Sequence, residues 1–265
     1  AVAALALNQS LSVSRYSVET DKITGQVKLA ILTDYHSCDY GEGQRELLSA
    51  IEAEQPDAIL LCGDIFDDRL PPGNTVELIG GISAKYPCYY VTGNHEFWSG
   101  KADEFKNTLT SYGVKVLEGT ADVLAVRGDE IRVGGIDDPD ADRYASRAAP
   151  YAEQIQRLSG SATDGGMFTI LLSHRPERIE KLQPLAPDLV VSGHAHGGQW
   201  RIPLILENGL VAPNQGWFPK YTNGEYFFDR TELIVSRGLA RESTSVPRLF
   251  NRPEIVIIIL QGGRL

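Results

Sequence analysis

The stretch VKLAILTDYH, residues 27–36, decides the fold of this chain. Val27–Thr33 is a short apolar run, which predicts a strand buried on both faces of a sheet. The run ends directly at Asp34, and His36 follows two positions later. Because ligands bind outside the carboxyl ends of strands in open α/β sheets, this stretch predicts both a buried strand and a chemical site at its end.

The same pattern of an apolar run with a polar end occurs twice more. Ala58–Cys62 leads through a glycine to Asp64, and Cys88–Thr92 leads through a glycine to Asn94. The step from Asp34 to Asp64 is 30 residues and the step to Asn94 is 30 again, about the length of one strand–helix–strand unit. The repeat predicts parallel neighbouring strands with their polar end residues at one edge of the sheet.

The rest of the chain alternates between helical and strand patterns. Helices are predicted at residues 43–54, 75–85, 102–112 and 148–158, and further strands at residues 114–117, 123–126, 131–134, 167–172, 189–192, 233–236 and 255–260. The strands between 114 and 134 predict a meander, residues 137–147 an exposed loop, and residues 159–166 a flexible connection. The alternation of strand and helix patterns predicts an α/β fold, which we expect to form a single domain over residues 1–265.

Charge and cysteine content restrict the class of partner. The 265 residues carry a net charge of −10, which argues against a nucleic-acid polymer, because such binding depends on phosphate neutralisation by Lys and Arg. A small phosphate ester is still compatible, since two bound divalent cations would reverse the charge locally. The three cysteines have no paired spacing, and they predict buried packing residues rather than disulfides or metal ligands.

The amino-terminal segment supports two interpretations. Ala1–Leu7 is apolar, and no stretch of the chain reaches the ~20 apolar residues of a membrane span. Residues 1–26 are either the remnant of a removed signal or anchor or, at the start, an ordinary buried strand. A membrane-associated or cell-envelope location is favoured slightly over a cytoplasmic one.

All five histidines lie in short motifs: D-Y-H at 34–36, G-N-H-E at 93–96, S-H-R-P at 173–176 and G-H-A-H at 193–196. Carboxylate, amide and imidazole groups at strand ends predict a dinuclear metal site. A glycine before Asp64, Asn94 and His194 is expected to adopt a positive φ that turns the next side chain toward the metals. His194 and His196 are two residues apart, so an extended segment would direct both to the same side.

The order of these motifs resembles the calcineurin-like metallophosphoesterase superfamily over residues 34–196. The resemblance implies a four-layer α-β-β-α sandwich of two mixed sheets, two divalent metal ions (Mn, Fe, Zn or Ni) and attack by a metal-bound hydroxide. It also implies the roles of individual residues. The first metal is expected at Asp34, His36 and His196, the second at Asn94, His174 and His194, with Asp64 between them, His95 as the catalytic proton donor, Asp67 orienting His95, and Glu96 as a structural hydrogen-bonding residue.

Longer strings are similar to the bacterial membrane-associated phosphodiesterase branch, which includes UDP-2,3-diacylglucosamine pyrophosphatase-type enzymes. They are TDYHSC at 33–38, GDIFDD at 63–68, GHAHGGQWRIP at 193–203 and SRGLARES at 236–243. This resemblance implies a small phosphate ester or a lipid-linked diphosphate as substrate, together with peripheral membrane association.

One departure affects the choice of substrate. In the protein-phosphatase branch an arginine follows the second Asp of G-D-x-x-D, whereas this chain has Asp68 there and Arg69 one place later. An acid beside the phosphate favours a monoanionic diester or a pyrophosphate over a dianionic monoester. The alternatives are a phosphomonoesterase or protein phosphatase, and a non-catalytic binding scaffold. A scaffold is expected to have lost ligands, and none of the motif residues is missing.

Two further groups have both a functional and a structural interpretation. Arg175, Arg237 and Arg241 are candidates for substrate binding, against ordinary salt bridges. The aromatic residues after G-H-A-H are candidates for an apolar wall that receives a lipid or nucleoside, against ordinary loop packing. They are Trp200, Trp217, Phe218 and Tyr221.

Overall fold

Two six-stranded sheets form the centre of the protein, in a computed structural model that describes residues 2–145, 147–160, 166–241 and 246–263. The strands in the described part of the chain are β1 (Ser12–Thr20), β2 (Gln26–Leu32), β3 (Ala58–Cys62), β4 (Cys88–Val91), β5 (Lys115–Val116), β6 (Thr120–Val126), β7 (Asp129–Gly135), β8 (Phe168–Leu172), β9 (Leu189–Ser192), β10 (Val211–Ala212), β11 (Gly216–Trp217), β12 (Gly224–Phe228), β13 (Thr231–Val235) and β14 (Glu254–Gly262).

Helices connect or flank these strands. They are α1 (Val2–Ala6), α2 (Arg45–Glu54), α3 (Gly73–Ser83), α4 (Asn94–Trp98), α5 (Ala102–Ser111), α6 (Ala141–Tyr144), α7 (Tyr151–Gly160) and α8 (Ile179–Leu182). Helix α2 shows how the sequence sets such an element. Leu47 and Ile51 are four residues apart and buried on one face, and the helix ends where Gln55 turns into the left-handed region before Pro56.

The first sheet has the order β1-β14-β2-β3-β4-β5. Strands β2 to β5 are parallel to one another, and β14 runs antiparallel to β2. The carboxyl ends of β2, β3 and β4 therefore lie at the same edge of the sheet. Asp34, Asp64 and Asn94 follow these ends, as the 30-residue repeat predicts.

The second sheet has the order β12-β13-β9-β8-β7-β6. Its four central strands are parallel, and the edge strands β6 and β12 are antiparallel to their neighbours. His174 lies just after β8, and His194 just after β9. Strands β10 and β11 form a separate two-stranded hairpin.

The core is arranged in layers. Between the sheets, side chains such as Leu29 and Leu60 of the first sheet pack in one buried cluster with Val133 and Ile170 of the second. The outer face of the first sheet packs against α2, α3 and α5, and that of the second against α7 and α8. This is the predicted α-β-β-α sandwich of two mixed sheets, and the fold prediction is confirmed.

Three local predictions are wrong. Residues 2–6 form a helix rather than a buried strand, and Leu5 is exposed. The predicted meander is divided, because β5 pairs with β4 in the first sheet while β6 and β7 form a hairpin in the second. Residues 137–147 are not a fully exposed loop, since Asp137 and Asp138 are buried with cationic partners and α6 follows.

Of the predicted connection at 159–166, residues 161–165 lie outside the described part, while 159 and 160 complete α7. Among the described ranges, no helix combines the length and apolar character that a membrane crossing needs.

Candidate metal centre

Two clusters of potential ligand atoms lie where the carboxyl ends of the two sheets meet. In one, ligand atoms of Asp34, His36 and His196 lie within 4.8 Å of one another, and in the other those of Asp64, His174 and His194 do so. His196 Nε2 is 3.4 Å from Asp34 Oδ1, and His174 Nε2 is 3.1 Å from Asp64 Oδ2. The division matches the two metal positions that the resemblance implies.

Asp64 lies between the two clusters. Its Oδ2 is 3.1 Å from Nε2 of His174 in one cluster and 3.8 Å from Nε2 of His36 in the other. Its Oδ1 accepts the backbone N–H of His95 at 2.8 Å, which brings the neighbouring Asn94 to the same edge. This carboxylate is placed so that two cations could share it.

The backbone is strained at the candidate ligands themselves. Left-handed φ values between 47° and 65° occur at five of them: Asp34, His36, Asp64, His194 and His196. Non-glycine residues rarely adopt this region, and such strain concentrates at functional sites. The strain is held by backbone contacts, for example the N–H of His194, which donates to both carboxylate oxygens of Asp34 at 2.9 and 3.1 Å.

The glycines before the ligands act mainly by permitting close approach. Gly63 has the expected positive φ of 84°, but Gly93 and Gly193 do not. A Cβ at Gly93 would lie 2.2 Å from Asp64 Oδ1, and one at Gly193 would lie 2.0 Å from Thr33 Oγ1. A side chain at either position would displace the strand end that carries a candidate ligand.

His194 and His196 do not face the same side, contrary to the expectation for an extended segment. The chain turns sharply here, with the N–H of Ala195 donating to the carbonyl of Gly193 and a 3-10 turn beginning at His196. As a result the His194 ring lies 4.9 Å from the His174 ring, and the His196 ring lies 5.3 Å from the His36 ring. The turn supplies one imidazole to each cluster.

The donor set fits divalent metal ions. Nε2 of His36 and Oδ1 of Asn94 are buried without a hydrogen-bond partner, a costly state unless another group completes it. The other ring nitrogen of His36 faces Asp67 Oδ1 at 3.0 Å, and Nδ1 of His174 faces the carbonyl of Cys62 at 2.9 Å. Outer partners of this kind fix the tautomer of metal-binding histidines and leave the inner nitrogen free to bind.

The charges and the burial of the metal-free site shift the pKa values of the candidate ligands. Burial raises the pKa of Asp34, and the Asp64 charge adds to this effect. Burial alone would lower the pKa of His174, but the Asp64 carboxylate outweighs it and raises that pKa to about 10. Burial lowers the pKa values of His194 and His196 well below normal, so both imidazoles are neutral. The two neutral imidazoles can bind a cation directly, whereas a cation at His174 must displace a proton, so metal binding at this site releases protons.

His95 is held by Asp68 rather than mainly by Asp67. Its Nδ1 lies 2.6 Å from Asp68 Oδ1 and 3.4 Å from Asp67 Oδ1. Asp67 instead makes its shorter contact with His36, so the orienting role that the sequence assigns to Asp67 falls chiefly to Asp68. Burial acts to lower the pKa of His95, but Asp64, Asp67 and Asp68 raise it to about 9.

Glu96 is a structural hydrogen-bonding residue, as the sequence predicts. Its carboxylate accepts the backbone N–H groups of Gly93, Asp64, Ile65 and Phe66 at 2.7 to 3.1 Å. It therefore fixes the loop after β3 against the loop after β4. Burial and the Asp64 charge raise its pKa to about 7.

The predicted substrate-binding arginines are paired with acids of the protein. Arg175 makes a two-pronged contact with Asp138 at 2.6 and 2.7 Å and a further contact with Asp140 at 3.0 Å. The other two also form ion pairs, Arg237 with Glu254 and Arg241 with Glu46. Binding of substrate by these three residues stays a prediction.

Two further residues lie beside the site. Asn214 was not predicted, whereas Arg248 belongs to a carboxyl-terminal group of arginines that is a candidate clamp for a diphosphate or an anionic headgroup. The side-chain amide of Asn214 lies 2.7 Å from Nε2 of His194. Arg248 is fully buried, with Nη2 at 3.4 Å from His196 Nδ1. Each reaches the site from a loop, where no strand pattern or motif marks the position. For Asn214, the available sequence signal was the composition Pro-Asn-Gln-Gly at 213–216, which is typical of a turn.

An open cavity of about 410 Å³ adjoins the clusters. One part of its wall consists of His36, His95, His196, Asp68 and Arg69. The remainder comes from the segments after G-H-A-H and near the carboxyl terminus, namely Ala195, Gln199, Val211, Ala212, Pro213 and Val246. A phosphate ester in this cavity would touch both the candidate metal ligands and His95.

The fold and the paired clusters together define a metal-dependent phosphoesterase. The chain belongs to the calcineurin-like phosphoesterase family, whose model matches residues 27–198. Members of this family use a dinuclear divalent metal centre, which the two clusters can provide.

Individual relatives agree with this assignment. The metallophosphoesterase YkuE of Bacillus subtilis is 28% identical over 247 residues, which cover 89% of this chain and 79% of its own. The phosphodiesterase YaeI of Escherichia coli is 28% identical over 211 residues, covering 78% of this chain and 71% of its own. A dimetal phosphatase from Danio rerio shares the fold, with a TM-score of 0.54, 13% identity, and coverage of 80% of this chain and 88% of its own. Two other solved neighbours, a Haemophilus influenzae NAD nucleotidase and a Thermus thermophilus 5'-nucleotidase precursor, are longer, and the chain spans about half of their length.

Divalent metal should stabilise the protein strongly. Because the clusters form only in the folded state, Mn²⁺ at about 100 times its Kd is expected to raise the unfolding free energy by about 2.7 kcal/mol per site. For a chain of this size that corresponds to an increase in Tm of roughly 5–10 °C. Differential scanning calorimetry with Mn²⁺ and with a chelator measures the shift.

The matched variant is Asp188→Asn, which removes an exposed ion pair with Lys22 and should keep the full metal-induced shift. Coincident melting curves of the wild type with metal and with chelator would show that the clusters bind no ion.

Proposed function

We propose that this protein hydrolyses a phosphodiester or pyrophosphate bond in preference to a phosphate monoester. The observation that carries the proposal is the position of Asp68, which lies in the cavity wall and contacts His95. A monoester brings nearly two negative charges to the site at neutral pH, whereas a diester brings one. The Asp68 carboxylate therefore opposes the binding of a monoester more strongly.

The arginines near the cavity are engaged by acids of the protein. The guanidinium of Arg175 is committed to Asp138 and Asp140. The Arg69 side chain is 75% exposed and lies 3.7 Å from Asp68. An arginine that is already paired with a carboxylate has fewer donors left for a bidentate contact with a dianionic phosphate.

The proposed roles of the residues rest on the two clusters and on the resemblance. Asp34, His36 and His196 would hold one ion, Asn94, His174 and His194 would hold the other, and Asp64 would be shared. When bound, the two ions supply Lewis acidity and lower the pKa of a water molecule from ~15.7 toward ~7.

The protein also handles the proton that the leaving group needs. Nδ1 of His95 is occupied by Asp68, so Nε2 is the ring nitrogen that can donate a proton to the leaving oxygen.

We propose one catalytic domain over residues 1–265, since β1 and β14 from the two ends of the chain pair within the first sheet.

The preferred substrate is a phosphate joined to a lipid, such as the diphosphate of a UDP-2,3-diacylglucosamine-type molecule. The name of the relative YaeI, a phosphodiesterase, supports the diester class. The apolar residues Val211, Ala212, Pro213 and Val246 in the cavity wall support an apolar substituent on the phosphate. Such a substrate requires contact with a membrane, and peripheral association is part of the proposal.

The substrate preference can be measured with two chromogenic esters. With Mn²⁺ present, kcat/KM for bis(p-nitrophenyl) phosphate should exceed that for p-nitrophenyl phosphate by about tenfold or more. Asp68→Asn removes one negative charge from the cavity wall. It should lower the ratio of the two kcat/KM values, diester over monoester, by about fivefold, even if both rates fall. UDP-2,3-diacylglucosamine, tested beside them, should be a better substrate than either.

Asp129→Asn is the matched control, because Asp129 is buried but binds Thr24 and Gly25 far from the cavity. Its ratio should equal that of the wild type. Faster cleavage of the monoester by the wild type would refute the diester preference, and an unchanged ratio in Asp68→Asn would remove its physical basis.

A further inference from the structure

Exposed apolar side chains are concentrated in the segment 200–218. Six of the fourteen large apolar residues that are exposed in the described part of the chain lie there. Leu204 is 92% exposed, Ile205 81%, Phe218 71% and Trp217 69%. We call these four residues together with Ile202 the apolar rim. A cluster of this kind on a soluble surface marks an interaction site.

The rim is a single structural unit. Residues 202–206 form a tight loop closed by the N–H of Leu206, which donates to the carbonyl of Ile202 at 2.7 Å. Trp217 and Phe218 stand at the end of the β10–β11 hairpin, and the N–H of Phe218 donates to the carbonyl of Leu210 at 2.9 Å. The N–H of Leu210 in turn donates to Gly198, directly after G-H-A-H.

The rim is also continuous with the candidate metal centre. Val211, Ala212 and Pro213 of the hairpin form part of the cavity wall that includes His36 and His95. From the same hairpin, Asn214 contacts His194 at 2.7 Å. Whatever binds the rim therefore lies next to the opening through which a phosphate reaches the metals.

The shape and charge of the rim suit a lipid bilayer. Its apolar residues are strongly exposed at two loop ends, so a fluid apolar phase can receive them without a complementary surface. Between residues 199 and 221 the charged residues are Arg201, Glu207 and Lys220, a net positive charge within a chain of net charge −10. Basic residues beside inserted aromatic and aliphatic side chains are attracted to anionic headgroups.

We infer that the apolar rim docks this protein on an anionic lipid bilayer and places the cavity at the headgroup level. This inference deepens the proposed function by identifying a lipid bilayer as the partner. It rests on the proposed function only for the lipid-linked nature of the substrate. A phosphate linked to a lipid would then enter the cavity from the membrane plane. Its apolar part would stay on the side of the rim.

Vesicle co-sedimentation without any substrate tests the inference. The metal-loaded protein should sediment with vesicles of phosphatidylcholine and phosphatidylglycerol and more weakly with phosphatidylcholine alone. The double variant Leu204→Glu/Ile205→Glu should lower the partition coefficient by at least about 30-fold, because it places carboxylates where apolar side chains enter the lipid. Trp217→Ser/Phe218→Ser, on the other loop, should also lower it.

The matched control is Phe227→Glu. Phe227 is 75% exposed but lies in β12 opposite Glu232, at the amino end of β13 and therefore away from the carboxyl strand ends that carry the site, and this variant should bind vesicles like the wild type. Circular dichroism and the metal-induced rise in Tm establish that each variant is folded.

Wild-type protein that stays in the supernatant, or rim variants that bind like the wild type, would overturn the inference. So would a wild-type dimer, detected by light scattering and lost in the rim variants, without vesicle binding, because the rim would then be a contact between two copies. Hydrolysis of bis(p-nitrophenyl) phosphate is measured separately. Docking without hydrolysis contradicts the proposed reaction but not the rim. Hydrolysis without docking contradicts the rim and the peripheral association but not the proposed reaction.

Discussion

Asp64→Asn is expected to lower kcat/KM for the diester by at least about 10³-fold and to leave fewer than two metal ions bound. Asp64 contacts a histidine of each cluster, at 3.1 Å from His174 and 3.8 Å from His36. An amide in its place provides no charge to hold two cations close together. The transition state then loses the clamp on its attacking and leaving oxygens, and losses of several kcal/mol are typical of such electrostatic groups.

The same substitution should destabilise the metal-free protein. Although burial acts to raise it, the pKa of Asp64 is held well below normal by the charges of His174 and His95. Without that carboxylate the buried His174 loses its closest counter-charge. Breaking a buried ion pair from one side costs about 3–5 kcal/mol, which calorimetry in the presence of a chelator will measure.

Inductively coupled plasma mass spectrometry gives the metal content, and steady-state kinetics give the rate. Asp129→Asn again provides the comparison, since it makes the same chemical change at a buried position outside the site. It should retain two ions and a rate within about twofold of the wild type. An Asp64→Asn enzyme with two ions and normal turnover would exclude Asp64 as the shared ligand.

The positions of the metal-site strands could be predicted because local sequence determines them. Each apolar run of four to seven residues, ending at a polar group, has no stable alternative to a buried strand, and Ala58–Cys62 and Leu189–Ser192 agree with the prediction to the residue. The constant 30-residue interval then places Asp34, Asp64 and Asn94 at one edge, because parallel strands share a direction.

Pairings between distant parts of the chain could not be predicted in this way. Strand β1 pairs with β14 from Ser12 opposite Glu254 onward, and neither strand contains a local signal for the other. The sequence predicted that Asp137 and Asp138 are exposed, because their partners are also distant in sequence. Their cationic partners, Lys106 and Arg175, lie 31 and 37 residues away in sequence.

The directions of the side chains at the site could not be predicted from the sequence either. Asp67 and Asp68 are neighbours, yet one contacts His36 and the other His95. His194 and His196 separate into different clusters because both residues adopt left-handed φ values. A period-two pattern assumes an extended chain, and the strained backbone at the metal centre does not follow it.

The second large effect is expected when the proton donor His95, which Asp68 contacts, is removed. His95→Ala should lower kcat for an alkyl diester by about 10²–10⁴-fold while both metal ions stay bound, because the His95 ring belongs to neither of the two proposed ligand sets. The loss should be much smaller for bis(p-nitrophenyl) phosphate, whose leaving group needs little protonation. An equal loss for both substrates, or the loss of a metal ion, would assign His95 a structural role.

Asp67 and Asp68 provide a matched pair of Asp-to-Asn variants for the same question. Asp67 supports His36, so Asp67→Asn should weaken metal binding by about 10–100-fold, and excess Mn²⁺ should restore most of its activity. Asp68 supports His95, so Asp68→Asn should bind metal normally and stay slow at saturating Mn²⁺, with the larger defect on the alkyl diester. If added metal rescued Asp68→Asn but not Asp67→Asn, the two carboxylates would have the opposite roles, since only the acid behind a metal ligand can be compensated by mass action.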